Sequence, residues 1–316
     1  MSRGLAAVTG ATGFLGRHLV RSLAASGWRI RVLARRDVIH PVWRDLETEV
    51  VLGDLGDEAA LSRLCRGADL VVHTAGLIKA RDRRAFEVVN VEGARRLAEA
   101  ATGPMLLVSS LAAREPSLSD YAASKRLGEE AVRRLLGDRL TIVRPPALYG
   151  PGDPETLPLF KAAAVSPILP LLDPGARIAL MHVHDAARQI AALADLPPGH
   201  SVALSDGRPD GYGWREIFET AAMTFGAAPR FVRIPDFALK AAAVLVQKFQ
   251  GGAPMISPGK VRELLHRDWS VSPAEQPATL PPPDFDLAAG FRHTVDAYRA
   301  DGVAFGRSER STNSHC

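Results

Sequence analysis

The stretch Val8-Thr9-Gly10-Ala11-Thr12-Gly13-Phe14-Leu15-Gly16 constrains this chain more than any other. An apolar run, Leu5 to Val8, leads into it and predicts a short buried strand. Three glycines follow at the spacing G-x-x-G-x-x-G. Leu15, Leu19, Val20 and Leu23 then recur on one helical stripe, and Gly27 supplies a stop. Strand, glycine turn and helix make a phosphate-binding device. Gly10 permits the tight turn, Gly13 admits a pyrophosphate close to the backbone, and Gly16 lets the helix lie on the strand. The unpaired N–H groups and positive dipole end of that helix then face the phosphates. The bland alternative is a strand–turn–helix with incidental glycines, and the position between strand and helix favours the nucleotide.

A chain of 316 residues suits a cofactor domain with a smaller one appended, and 47% apolar residues supply a core for both. The formal net charge of +4 is spread along the chain, with no basic block that points to nucleic acid. Cys65 sits in a helical pattern and Cys316 in a polar tail, so no disulfide and a reducing cytoplasm are expected. The start runs straight into the first strand, so no signal peptide is expected, and the apolar segment Phe237 to Val246 is too short to span a bilayer. A homodimer is compatible with all of this. No metal site is expected.

Arg29 to Ala34 predicts a second strand, followed by Arg35-Arg36. A dinucleotide fold places an acid near this point for a ribose 2′-hydroxyl, or an arginine for a 2′-phosphate. The acid is missing, so NADP(H) is expected ahead of NAD(H); a solvated pair of strand-end charges is the alternative. Glu49 to Leu52 is the third strand. Asp54 after it is either an adenine contact or a turn residue. Asp57 is the N-cap of the next helix. Asp69 to His73 is the fourth strand, ending in the small residues Thr74-Ala75-Gly76, with His73 packed under the cofactor. Asn90, in the helix to Ala101, reads as a cap or a satisfied polar group.

Met105 to Val108 is the fifth strand and delivers Ser109-Ser110. Tyr121 and Lys125 follow on a helix to about Leu136, four apart and so on one face. A phenol titrates near 10 in water. An adjacent ammonium lowers that value and favours the phenolate. Ser110 can then hold a substrate oxygen while Tyr121 moves its proton.

Together, Thr9-Gly-Ala-Thr-Gly-Phe-Leu-Gly16, Gly53-Asp54-Leu55, His73-Thr-Ala-Gly76, Asn90-Val-Glu-Gly93, Ser109-Ser110, Tyr121-Ala-Ala-Ser-Lys125 and Arg144-Pro-Pro-Ala-Leu-Tyr-Gly-Pro-Gly152 resemble the extended short-chain dehydrogenase/reductase superfamily. The chain is closest in flavour to its 3-beta-hydroxysteroid dehydrogenase-like branch. The resemblance implies an α/β fold, a Rossmann doubly wound parallel sheet with a small C-terminal substrate-binding domain. It implies Ser110, Tyr121 and Lys125 as the catalytic set. As cofactor contacts it implies Gly10, Thr12, Gly13, Phe14, Leu15, Gly16, Arg35, Asp54, Leu55, Thr74, Ala75, Gly76, Tyr121, Lys125 and Pro145.

Thr141 to Arg144 is a sixth strand, stopped by Pro145-Pro146. The cofactor domain is expected over 1–146, with return segments near 178–205. Residues 147–177 and 206–304 form the substrate region, and 305–316 a disordered tail. Ala147 to Asp153 reads as a loop over the nicotinamide end, and Pro154 to Pro174 as a substrate wall. Arg177 to Val183 predicts a strand and Ser201 to Leu204 a strand returning to the sheet, with His184 or Asp185 capping a helix between them. Helices are expected over Trp214 to Phe225, Phe237 to Phe249 and Asp284 to Arg299, and Pro273 to Pro283 as a surface connection. Ile178-Ala179-Leu180 stands where the family's sugar enzymes carry charge, so an apolar, alicyclic substrate is favoured over a nucleotide sugar. The expected activity is hydride transfer between NADP(H) and a hydroxyl/carbonyl pair. A nucleotide-sugar epimerase or dehydratase, or a non-catalytic NADPH-binding subunit, are the alternatives.

Overall fold

Seven short apolar runs pair side by side into one sheet. A computed structural model describes residues 3–36, 43–249 and 257–306, excepting the side chains of 245–249. In chain order it shows β1 (Leu5–Thr9), α1 (Phe14–Ala25), β2 (Arg29–Ala34), β3 (Thr48–Leu52), α2 (Glu58–Cys65), β4 (Leu70–His73), α3 (Arg83–Phe86), α4 (Ala94–Ala100), β5 (Met105–Val108), α5 (Asp120–Leu136) and β6 (Leu140–Arg144). The second half adds β7 (Ala147–Tyr149), α6 (Leu157–Val165), β8 (Ile168–Leu171), β9 (Arg177–Ile178), β10 (Leu180–His182), α7 (Val183–Leu193), β11 (Ser201–Ala203), α8 (Trp214–Met223), β12 (Arg230–Arg233), α9 (Asp236–Phe249), α10 (Pro258–Leu265), β13 (Asp268–Trp269) and α11 (Leu287–Ala300).

The main sheet has the order β11-β6-β5-β4-β1-β2-β3, and every pair in it is parallel. Strand β1 explains why. Ala6 and Val8 face a core completed by Leu19, Val20 and Leu23 of α1 and Ile190 of α7. Leu5 and Ala7 face the opposite core, completed by Leu61 and Leu64 of α2, Leu97 of α4 and Val132 of α5. A strand covered on both faces needs an unbroken apolar run, and parallel neighbours need helices as crossovers. Each fully buried leucine, such as Leu19 or Leu64, contributes about 2 kcal/mol. Strand order reverses between β1 and β4, which opens a crevice at their carboxyl ends.

The second lobe packs Tyr149, Phe160, Ile217, Phe291 and Tyr298 into its own core. Phe160 and Tyr149 each meet Phe291 edge-on at 5.0 Å between ring centres. Here the structure corrects several expectations. The stretch Pro154 to Pro174, expected as a substrate wall, holds α6 and β8, with Phe160, Ala163 and Leu169 buried in the core. Ile178, Ala179 and Leu180 are likewise buried core residues, so their apolarity serves packing. The strand expected over Arg177 to Val183 breaks at Ala179, because Ile178 pairs with Trp269 and Met181 with Leu148 in two separate small sheets. Ala147 to Tyr149 does leave the main sheet, as a strand and not as a loop. The cap of α7 is His182, whose Nδ1 accepts the His184 N–H at 3.2 Å. Asp185 is occupied elsewhere, accepting the N–H groups of Asp284 at 2.9 Å and Phe285 at 3.1 Å. Phe305 is buried against Phe225 and Tyr298, so the fold extends past the expected start of the tail. Residues from 307 on lie outside those described. Asp57 caps α2 as expected, accepting the Ala60 N–H at 2.9 Å, and β11 returns to pair with β6.

Candidate active site

The glycine turn has the shape its sequence demands. Gly10 sits at φ +74°, where a Cβ would lie 2.4 Å from the Ala75 nitrogen. A Cβ on Gly16 would lie 2.0 Å from the Gly10 carbonyl oxygen, so only glycine lets α1 start there. Helix α1 has no side-chain cap and no acid in its first turn. Its opening N–H groups, beside exposed Thr12 and Gly13 and half-buried Phe14 and Leu15, are available to an anion. Thr74 fixes the floor by donating to the Thr9 carbonyl at 2.8 Å. This cradle fits a dinucleotide pyrophosphate.

The other expected contacts gather at the same carboxyl edge. Arg35 and Arg36 end β2, both exposed. Asp54 holds a turn after β3, its Oδ1 accepting the Gly56 N–H at 2.7 Å, and its carboxylate stays exposed. Leu55 packs on Gly93, whose Cβ would come 2.8 Å from it. Gly76 lies beside Asn90 and Lys125, and Pro145 is buried, its carbonyl accepting the Leu111 N–H at 2.9 Å.

Ser110, Tyr121 and Lys125 come together. The Ser110 Oγ accepts the Ala112 N–H at 3.2 Å and is close enough to the Tyr121 hydroxyl to influence its ionisation. Lys125, one turn along α5, donates its Nζ to the Val108 carbonyl at 2.8 Å. Burial moves the two groups in opposite directions. The Tyr121 phenol is pushed up to about 12, chiefly by desolvation, with the Ser110 hydroxyl opposing and the Glu263 charge adding. Lys125 is pulled down to about 8 by desolvation, against the nearby charge of Glu129. The net shift of the phenol is upward, against the expected lowering by Lys125, because desolvation dominates. The ammonium turns to a backbone carbonyl, and burial holds Tyr121 protonated.

Sequence reasoning missed the supports of this set. Asn90 is a satisfied polar group, one of its two expected roles, and what it joins was not foreseen. It lies in a widened, π-helical stretch (Glu87–Gly93) between α3 and α4. Its Oδ1 accepts the Leu77 N–H at 2.7 Å, and its Nδ2 donates to the Leu77 carbonyl at 3.0 Å and the Ser124 Oγ at 2.9 Å. Ser124 in turn donates to the Tyr121 carbonyl at 2.7 Å. Buried Glu129 takes a two-pronged contact from Arg144 at 2.8 and 2.6 Å. Ser119 caps α5 and donates to buried Glu263 of α10. His73 is buried as expected, bonded to the Thr9 hydroxyl at 2.6 Å and pulled down to about 3, chiefly by burial.

One cluster had no signal in the sequence, because its members lie far apart. His182, His184 and His293 bring ring nitrogens within 4.8 Å of one another, with the His18 ring tilted against His184 at 4.7 Å between centres. A histidine ligating a metal through Nε2 donates from Nδ1. His182 has the reverse arrangement: Nδ1 accepts the His184 N–H, so a neutral ring donates from Nε2 to His293 Nδ1 at 3.2 Å. The cluster links β10 and α7 to α11 through contacts between imidazole rings.

A family model described as the NAD dependent epimerase/dehydratase family matches residues 6–203. The chain is 55% identical over 307 residues to a protein named "Ceramide reductase" from Caulobacter vibrioides, covering 95% of this chain and 96% of that one. It is 29% identical over 306 residues to the NADH-ubiquinone oxidoreductase 40 kDa subunit, mitochondrial, of Neurospora crassa, covering 94% and 80%. A solved structure titled MoeE5 in complex with UDP-glucuronic acid and NAD superposes with TM-score 0.71 at 20% identity, covering 94% of this chain and 99% of that one, a likeness of fold. No helix among the described residues is long and apolar enough to cross a membrane.

Proposed function

The chain belongs to the NAD dependent epimerase/dehydratase family and is an oxidoreductase of that extended superfamily, and we propose that it reduces a ketone on a ceramide-type lipid with NADPH, in the cytoplasm. One observation carries the catalytic part. A phenol kept protonated by desolvation stands near a serine hydroxyl, one helical turn from a half-buried lysine, at the edge where the glycine cradle opens. The substrate class follows the name of the relative that is 55% identical. Arg35, exposed at the end of β2, supports NADPH over NADH.

The nicotinamide, when bound, supplies the hydride. The residues do the rest. Ser110 donates a hydrogen bond to the carbonyl oxygen as negative charge grows there. Tyr121, already protonated, gives its proton to that oxygen. Lys125 keeps a cation one helical turn away, which favours the phenolate left behind. Asn90 and Ser124 hold the Tyr121 backbone in place while this happens.

The test mixes purified protein, NADPH or NADH, and an N-acyl sphingoid base bearing a ketone, in detergent micelles. Loss of reduced-nicotinamide absorbance is followed. Turnover with NADPH is expected, and Tyr121→Phe should slow it by on the order of 100-fold or more while NADPH binding survives. A Tyr121→Phe protein of near-normal rate overturns the assignment and leaves an NADPH-binding module as the better description.

A further inference from the structure

Helix α9 is apolar on both sides. Leu239 and Ala243 turn inward, and Ala243 is fully buried. Half a turn of azimuth away, Phe237, Ala241 and Val244 share the outer face, where Phe237 is 75% exposed. A helix apolar all round is ordinarily covered all round, yet in the described fold α9 packs chiefly on α10 alone.

Further exposed apolar side chains stand on the paired β8 and β12, and only two residues separate β12 from α9. Leu169 and Phe231 point towards the lobe. Ile168 and Val232 stand on the other face, 53% and 52% exposed, with exposed Arg230 directly opposite Ile168. Lys240 stands on the outer face of α9 between Phe237 and Val244. From Arg230 to Val244 the chain carries Arg230, Arg233 and Lys240 against one carboxylate, Asp236.

We propose that this face docks on an anionic phospholipid bilayer. Cations interleaved with protruding apolar side chains match a surface whose anionic headgroups lie over acyl chains. An apolar patch of this kind on a protein surface marks an interaction site. The proposal draws on the reading above in one respect: a ceramide-type substrate resides in a bilayer. The docked face also has a direct connection to the chemistry. Helix α10, on which α9 packs, carries Arg262, which donates to the Leu118 carbonyl at 2.6 Å, and Glu263, which accepts from Ser119 at the start of α5. Docking through α9 therefore brings the Ser110–Tyr121 loop to the membrane surface, where the substrate is.

The full chain is sedimented with vesicles of phosphatidylcholine and phosphatidylglycerol in about a 2:1 ratio, with vesicles of phosphatidylcholine alone as comparison. Binding to the mixed vesicles is expected, weaker on the neutral ones and falling as salt rises. Val232→Glu with Phe237→Glu should lower the partition by about tenfold or more. Lys240→Glu, which leaves the apolar groups in place, should flatten the salt dependence. NADPH binding, followed by nicotinamide fluorescence, checks that each variant is folded. Wild-type protein left in the supernatant at every composition, or a double variant that binds as well as wild type, overturns the proposal. So does a wild-type dimer that Phe237→Glu splits into monomers, because the occupant is then a second copy. The vesicles hold no ketone, so docking is read without turnover, and turnover in micelles is read without docking.

Discussion

Tyr121 and Lys125 experience the same burial with opposite consequences, because the charged form is the base of one pair and the acid of the other. With the phenol near 12, Tyr121 stays protonated through the accessible range and does not limit reduction at high pH. Lys125, near 8, does lose its proton within that range. The kcat/KM for reduction, which reports the free enzyme, should therefore be flat through neutrality and decline above about pH 8 with one ionisation. Lys125→Arg should move that decline upward out of range; an inflection left where it was belongs to another group. At the other end of the cleft, Arg35→Asp should lower the NADPH-to-NADH affinity ratio by on the order of tenfold or more, read by fluorescence titration. Equal binding of both cofactors by wild type and variant reduces Arg35 to a surface charge.

Between elements, the join that matters most for the site runs from the end of β4 through Asn90 to α5. Asn90→Ala leaves the half-buried Leu77 N–H and carbonyl without their side-chain partner and removes the donor to the Ser124 Oγ, which keeps its own bond to the Tyr121 carbonyl. It should cost about 1–3 kcal/mol in denaturant unfolding. Its effect on kcat should exceed its effect on NADPH affinity, since the glycine cradle is untouched. The element pattern itself was legible: β2 and β5 have the bounds their apolar runs predict, and Asp57 caps where expected. The cap of α7 was not. His184 or Asp185 was expected and His182 caps instead, with Asp185 occupied by the arriving Asp284–Phe285 backbone.

Across the whole molecule, the neutral histidines make folding depend on pH. His182 is pulled down to about 2 and His73 to about 3, with His184 lowered as well, in each case chiefly by burial. An unfolded chain takes up protons on these rings near 6.5, whereas the folded chain does not. Below that pH the unfolded state binds more protons, so stability falls as pH falls. Thermal melts between pH 4 and 8 should show the transition dropping below about pH 6.5. His182→Asn keeps an acceptor for the His184 N–H, removes one titrating group and should flatten the slope. A slope unchanged by that substitution assigns the acid sensitivity elsewhere.

The sequence by itself determined the sheet, the glycine cradle and the Tyr121–Lys125 face. Each rests on spacing within one segment: a run of buried residues, glycines three apart, two side chains one helical turn apart. The tertiary structure decided the rest. Whether Ile178, Leu180 and Phe160 line a cleft or fill a core depends on which helices cover them, and α8 and α11 come from far along the chain. Whether Tyr121 is a phenol or a phenolate depends on how much water is excluded from it, and no local pattern records that. The histidine chain and the Ser119–Glu263 contact join residues more than a hundred positions apart. Local periodicity reports which face of an element is apolar; the partner that covers that face, or leaves it exposed among the described residues as on α9, is fixed only when the elements meet.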